Sequence, residues 1–173
     1  MNDFAEFYLA SKDRVFRTVF AATGSRADAE DAVAEAYTRA LARWRRLQQQ
    51  ANPAGWVVIT AMNFHRSVWR RRRREDRRDP PERPEVGTSA DRCLPSDLRR
   101  LVLALPRRQR EVVALRLIAD LSAEETGRLL GISTATVHVH LHRALIALRS
   151  QRTSPAGLAD PAIGASTTRE ILP

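Results

Sequence analysis

The chain of 173 residues has a single cysteine, Cys93, which excludes an internal disulfide and a four-cysteine zinc site. It has no run approaching the ~20 apolar residues of a membrane-spanning helix. The start, "MNDFAEFYLASKDR", lacks the basic-then-apolar order of a secretion signal, so a cytoplasmic protein with no membrane partner is expected. No Ser/His/Asp or Cys/His arrangement is legible, and acidic pairs such as Glu124 and Glu125 belong to a helix start. Neither an enzymatic reaction nor a cofactor is therefore expected. Negative charge is scarce too: Asp and Glu number 20 against 29 Lys and Arg, a net charge of +9. Nearly all the basic residues are arginine, whose guanidinium pairs phosphate in a fork, so the excess favours a nucleic acid as partner.

Proline marks the organisation of the rest. Pro80, Pro81, Pro84 and Pro95 lie in a charged stretch without periodicity, which predicts a flexible linker over 76–95. Pro155, Pro161 and Pro173 lie in a tail, 151–173, too rich in small residues for a core and expected to be disordered. Two apolar-periodic blocks remain, which places domains at 1–75 and 96–150. Their only prolines, Pro53 and Pro106, stand where helices should begin.

The first block reads as three helices. Phe4, Phe7, Tyr8, Val15, Phe16 and Val19 recur at helical spacing until Gly24. Ser25 opens a second helix, with Asp28 three residues on as a capping-box variant. Its apolar stripe is Ala29, Val33, Ala36, Tyr37, Ala40, Leu41, Trp44 and Leu47. Asp28, Glu30, Asp31 and Glu35 crowd its start and Arg39, Arg43, Arg45 and Arg46 its end, the polarity that the helix dipole favours.

Asn52 caps a third helix, "PAGWVVITAMNFHRSVWRRRRRE". On it Thr60, Asn63, Ser67, Arg70 and Arg74 share one face, flanked by Trp56 and Arg66. A solvated face ending in a charge run is the ordinary explanation. With Trp56 and Trp69 among cationic and hydrogen-bonding side chains, the composition suits base stacking with arginines on the backbone, and the overall charge favours that reading.

The second block holds "DLRRLVLAL", then "RRQREVVALRLI", then a capping box of Ser122 and Glu125 opening "AEETGRLL". Gly131 ends that helix and Ser133 caps a last one from Thr134 to about Arg149. Helix, short glycine-containing turn and capped helix is the helix-turn-helix pattern, whose second helix enters the major groove.

That helix carries His138, His140 and His142. In a strand they would share a face and could ligate zinc. The helical stripe Val137, Leu141, Ala144, Leu145 and Leu148 decides against a strand: it sets His138 and His142 on one flank and His140 on the other. No glutamate stands between the i, i+4 pair as in H-E-x-x-H, so no metal site is expected. The outward side includes Ala135, Thr136, Val139, His140 and Arg143, with His138 at its border. Here His140 and Arg143 would donate to phosphates or base edges and Val139 meet a thymine methyl.

Taken together, "DAEDAVAEAYTRALARW", "NPAGWVVITAMNFHRSVWRRRRRE" and "LPRRQREVVALRLIADLSAEETGRLLGISTATVHVHLHRALIALR" resemble the extracytoplasmic-function group of bacterial RNA polymerase sigma factors, in the sigma-70 family. The likeness covers about residues 3–150. It implies an all-α protein of two small helical domains, the three-helix region two and the helix-turn-helix region four, joined by a flexible linker. It further implies that the chain binds core RNA polymerase and directs promoter-specific initiation. Asp28, Glu30, Asp31, Glu35 and Arg39 would meet the clamp helices of the largest polymerase subunit, and region four the flap of the second-largest.

By the same resemblance, Asn52, Trp56, Thr60, Asn63, Arg66, Ser67 and Arg70 would open and read the minus-ten promoter element. Ser133, Thr134, Ala135, Thr136, His138, Val139, His140 and Arg143 would read the minus-thirty-five element. An anti-sigma factor is a common partner in this family. His138, Val139 and His140 stand where relatives often carry Lys, Ser and Arg, and neutral imidazole is no fixed charge. Binding there is therefore expected to strengthen as pH falls through the histidine range. Thr126 and Gly127 replace a usual Ile-Ala pair, which predicts looser packing of the hairpin. The second block alone also resembles the helix-turn-helix of LuxR-type regulators, which leaves a polymerase-independent regulator as the alternative; an arginine-rich RNA-binding protein is a third reading.

Overall fold

The computed structural model describes residues 3–75 and 96–153; the expected linker 76–95, with Cys93, and the tail beyond 153 lie outside the described residues. The first unit comprises α1 (Asp3–Thr23), α2 (Arg26–Ala42), a single turn α3 (Trp44–Leu47) and α4 (Pro53–Glu75). The second comprises α5 (Ser96–Leu103), α6 (Arg107–Val113) continuing into a π-helical turn (Ala114–Ile118), α7 (Ala123–Leu130) and α8 (Thr134–Thr153). Among the described residues there is no strand. The last helix runs into the expected tail, as far as Thr153.

Local chemistry sets most boundaries. Gly24 takes the left-handed conformation, φ 78°, and its N–H closes α1 on the Phe20 carbonyl at 2.8 Å. The Ser25 hydroxyl accepts from the Asp28 N–H at 3.3 Å, while the Asp28 carboxylate accepts from Arg72 Nη1 of α4 at 2.9 Å. Asn52 Oδ1 caps α4 by accepting from the Gly55 N–H at 2.8 Å.

The second expected helix does not reach Leu47 in one piece. It ends at Arg43, whose backbone (φ −117°, ψ 13°) is no longer helical, and α3 restarts beyond it. The buried line of α2 is Ala29, Ala32, Ala36 and Ala40, so Leu41, one step of ~100° past Ala40, turns outward and is 55% exposed. Alanines on this line let α1 and α4 approach closely, around Val15, Val19, Val57, Ala61 and Met62. Aromatic rings close one end: Phe7 stacks on Trp44 at 4.8 Å, and Tyr37 meets Tyr8 edge-on at 4.8 Å. The Tyr37 hydroxyl and Ser11 Oγ are hydrogen-bonded at 2.8 Å, and burial pushes the Tyr37 phenol up to about 12.

In the second unit Ser122 and Glu125 form the full reciprocal capping box, with bonds of 3.0 and 2.7 Å. Gly131 ends α7 at φ 66°, and Ser133 caps α8 through the Thr136 N–H at 3.1 Å. The helix expected over "RRQREVVALRLI" widens at Ala114, where the Ala119 N–H donates to the Ala114 carbonyl five residues back, at 3.1 Å. Beyond that turn Asp120, at φ 55°, reverses the chain, and Leu115 before it and Leu121 after it are both fully buried.

Looser packing at Thr126 and Gly127 is not what the structure contains. Thr126 is fully buried, and a Cβ on Gly127 would stand 2.7 Å from the Ile132 carbonyl oxygen. The missing side chain is what lets the turn fold back tightly, with the Ile132 N–H donating to the Gly127 carbonyl at 3.0 Å.

Both expected helical units are present, and in this structure they pack on one another. Val102, Val112, Leu115, Leu121 and Val137 join the same apolar core as Val15, Val57 and Met62. Leu121 closes against the start of α4, where a Cβ on Gly55 would lie 3.0 Å from its methyl group.

Candidate nucleic-acid interface

On α4 the apolar side is buried at Ala54, Val57, Val58, Ala61 and Met62, and the opposite side exposes Asn63, Ser67, Arg70 and Arg74. Asn52, Trp56, Thr60 and Arg66 of the expected set are half-buried. Trp56 lines a cavity of about 630 Å³ with Leu41, Arg43, Trp44, Arg46 and Gln50. An aromatic wall and arginine rim around an open concavity can accept a planar base and hold its phosphate. The arginines at the end of α2 have an ordinary explanation in the helix dipole, which is why the sequence did not single them out; the break at Arg43 turns them toward this cavity.

Arg66 stands apart from the rest of the stripe. Its Nη1 donates to the Leu129 carbonyl of α7, and its Nη2 lies 4.0 Å from Glu111 Oε2 of α6. Burial lowers the pKa of this guanidinium, and the Glu111 carboxylate opposes that shift. Glu111, only 2% exposed, also accepts from Arg108 Nη1 at 2.9 Å and Arg107 Nε at 3.3 Å. The Arg107 guanidinium lies over the Trp69 ring of α4 at 4.7 Å. Glu111, Arg107 and Trp69 were not read as partners from sequence, since Arg66–Glu111 and Trp69–Arg107 join positions on two separate helices, 45 and 38 residues apart, and leave no periodic signal.

On α8, Val137 and Ala144 are fully buried, and Ser133, Thr134, Ala135, His138, Val139 and Arg143 are exposed on the other side, with Thr136 half-buried. The flanks differ from expectation in one respect. His140 is half-buried with its Nδ1 enclosed and without a hydrogen-bond partner, while His142 is exposed. His140 sits beside the inward line at Val137 and Leu141, so His138 and Arg143 are the nitrogen-bearing side chains that face outward. Among the described residues no group of His, Cys, Asp and Glu could hold a metal ion.

The acidic start of α2 is exposed at Glu30 and Asp31. Arg26 and Glu30 pair at 2.7 Å, as do Glu35 and Arg39, all on the surface where such pairs exchange readily for other partners. Asp28 is held by Arg72 instead. No helix among the described residues is long and apolar enough to cross a membrane.

Residues 7–75 match the family described as Sigma-70 region 2, and residues 96–148 the family described as Sigma-70, region 4. The RNA polymerase sigma-E factor of Streptomyces antibioticus is 32% identical over 154 residues, covering 86% of this chain and 84% of that one. Its counterpart in Streptomyces coelicolor is 30% identical, covering 86% and 85%. The ECF RNA polymerase sigma factor SigW of Bacillus subtilis is 27% identical, covering 86% and 88%. Among solved structures, the sigma factor RpoE of Bartonella quintana, crystallised with the anti-sigma factor NepR, shares the fold. Its TM-score is 0.67 at 19% identity, covering 90% of this chain and 99% of that one.

Proposed function

The chain belongs to the sigma-70 family of RNA polymerase sigma factors, in its extracytoplasmic-function group, and on that premise we propose how its two units divide promoter recognition. The observation that carries the proposal is α4: a helix apolar on one side, exposing Asn63, Ser67 and Arg70 on the other, beside an arginine-rimmed cavity that includes Trp56.

Residues 96–150 read the minus-thirty-five duplex through α8. Arg143 and His138 donate to phosphates or base edges, and Val139 offers an apolar contact to a thymine methyl. Residues 1–75 read the minus-ten element as a single strand. Extruding a base costs a few kcal/mol, and stacking in the cavity beside Trp56, with Arg70 and Arg66 on the backbone, offsets it. Asn63 supplies donors and an acceptor for a base edge.

Core polymerase docks on the acidic surface of α2, at Glu30, Asp31, Glu35 and Arg39, through its clamp helices, and on region four through its flap. The factor performs no bond chemistry; the polymerase does, in the cytoplasm.

Run-off transcription from a linear promoter library, with core polymerase and with or without this protein, tests the reading. Specific initiation that requires both supports it. Sequence-specific duplex binding with no effect on initiation overturns it in favour of a polymerase-independent regulator.

A further inference from the structure

The cavity beside Trp56 carries more positive charge than the promoter-reading role uses. Arg43, Arg45 and Arg46 all line it and no carboxylate does among the described residues, whereas the backbone contacts of that role come from Arg66 and Arg70. Both arginines within α2 are neutralised, Arg26 by Glu30 and Arg39 by Glu35, at 2.7 Å each. The side chains of Arg43, Arg45 and Arg46 are exposed, with neither a hydrogen bond nor an ion pair among the described residues. The dipole of α2 accounts for a basic residue at its end, but Arg45 and Arg46 stand beyond that end, on the single turn α3.

The three tryptophans differ in the same way. Trp44 stacks on Phe7 at 4.8 Å and meets Phe4 edge-on at 5.3 Å, and the guanidinium of Arg107 lies over Trp69 at 4.7 Å. Trp56, whose indole packs partly on the core, has no other ring and no cation over it among the described residues. The part of it that lines the cavity is left for a planar ligand, and Gln50 at the rim adds an amide donor and acceptor for a base edge.

Three unpaired guanidinium groups beside one stacking surface do not match a nucleic-acid strand, which brings one phosphate per base. They match a ligand that carries several phosphates on a single base. We propose that this cavity also binds a free purine nucleoside triphosphate, its base on Trp56 and its phosphates on Arg43, Arg45 and Arg46, in competition with the promoter strand. The inference rests on the base-accepting role assigned to the cavity above. A purine suits the site better than a pyrimidine because its two fused rings cover more of an indole. Nucleotide and strand exclude each other there, so the nucleotide supply sets how much of the factor is free to open a promoter.

The test titrates the full chain by calorimetry, with magnesium present, against ATP, inorganic triphosphate and adenosine. ATP should bind about ten-fold more tightly than inorganic triphosphate, the difference being the stacked base, and adenosine should bind more weakly than ATP. Replacing both exposed arginines, Arg45→Ala with Arg46→Ala, should weaken ATP and triphosphate alike by about ten-fold. Trp56→Ala should bring ATP down to the affinity of triphosphate. In fluorescence anisotropy, ATP should displace a labelled mixed-sequence single-stranded 20-mer DNA from wild type.

Inorganic triphosphate binding wild type as tightly as ATP overturns the proposal, since a basic surface holding any polyanion would suffice. Unchanged ATP affinity in the double arginine variant overturns it as well. Should Trp56→Ala lose helicity by circular dichroism, those two comparisons decide. The 20-mer separates the nucleotide site from the promoter-reading role: strand binding that requires Trp56, with no ATP binding, sinks the nucleotide site alone. ATP binding that requires Arg45 and Arg46, with strand affinity indifferent to Trp56, sinks the strand's use of the cavity and leaves the nucleotide site standing.

Discussion

The guanidinium of Arg110 lies across the backbone of Gly24, its Nη2 3.3 Å from where a Cβ on that glycine would be. From there it donates to the Ala22 carbonyl at 3.3 Å and the Thr23 carbonyl at 3.5 Å, while Nη1 reaches the Leu103 carbonyl at 3.3 Å. One side chain of the second unit thus satisfies terminal carbonyls of α1, where a positive charge also meets the negative end of the helix dipole. Arg110→Ala should lower stability by about 1–3 kcal/mol in urea unfolding. Arg110→Lys should recover only part of that, because an ammonium cannot fork to several carbonyls at once.

Gly127 is a second place where a missing side chain decides the geometry. Gly127→Ala would push a methyl against the Ile132 carbonyl, which is backbone and has little room to give. The substitution should destabilise the hairpin by about 1–3 kcal/mol and weaken duplex binding through α8 without altering any residue of the proposed reading face. Urea unfolding with a duplex-binding assay checks both; a variant as stable as wild type would show that the turn relaxes freely.

His65 gives the fold a pH dependence. Burial holds its pKa below the ordinary ~6.5; Asp28 and Glu111 pull it back up, and Arg107 and Arg66 push it down. The folded chain therefore keeps His65 neutral while the unfolded chain takes up the proton first. Stability present above about pH 6.5 should fall as pH drops below that value. The urea midpoint should be lower at pH 5.5 than at pH 7.5, and the drop should shrink in His65→Gln.

Asn63 is exposed, so Asn63→Ala should leave stability within about 0.5 kcal/mol of wild type. Promoter opening, followed with a fluorescent base analogue, should still fall well below wild type while binding to core polymerase is kept. Loss of core binding first would mean that this face of α4 meets the polymerase.

On α8 the exposed and enclosed histidines separate cleanly. His138→Ala should weaken binding to the minus-thirty-five duplex more than His140→Ala does, as read by fluorescence anisotropy. The reverse order would place the half-buried imidazole, and not the exposed one, against DNA.

What could be read in advance was what neighbouring residues decide. Ser25, Asn52, Ser122 and Ser133 each cap the helix they were expected to cap, since a cap needs only a side-chain oxygen and an N–H two or three residues on. The polar side of α4 followed from period alone. The partner of Arg66 did not: Glu111 lies on a helix from the other unit, and its own neighbours Arg107 and Arg108 already explain it as an ordinary helix-surface acid. The break at Arg43 and the π-helical turn at Ala114 were hidden for a related reason. Both sequences have good helical periodicity, and it is packing around Trp44 in one case and the pair Leu115 and Leu121 in the other that overrides it. At Gly127 substitution for a larger residue suggested slack, whereas the approach of a distant carbonyl made the smaller residue the tighter one.

Arginine carries almost the whole basic surface, and the single lysine of the sequence, Lys12, rests on α1 over the ring of Tyr8 at 5.8 Å, on neither of the helices proposed to read the promoter. Amine-directed reagents should therefore be nearly blind to the promoter contacts proposed for α4 and α8. Lysine acetylation, which silences many basic surfaces by removing their charge, has nothing to act on along α4 or α8.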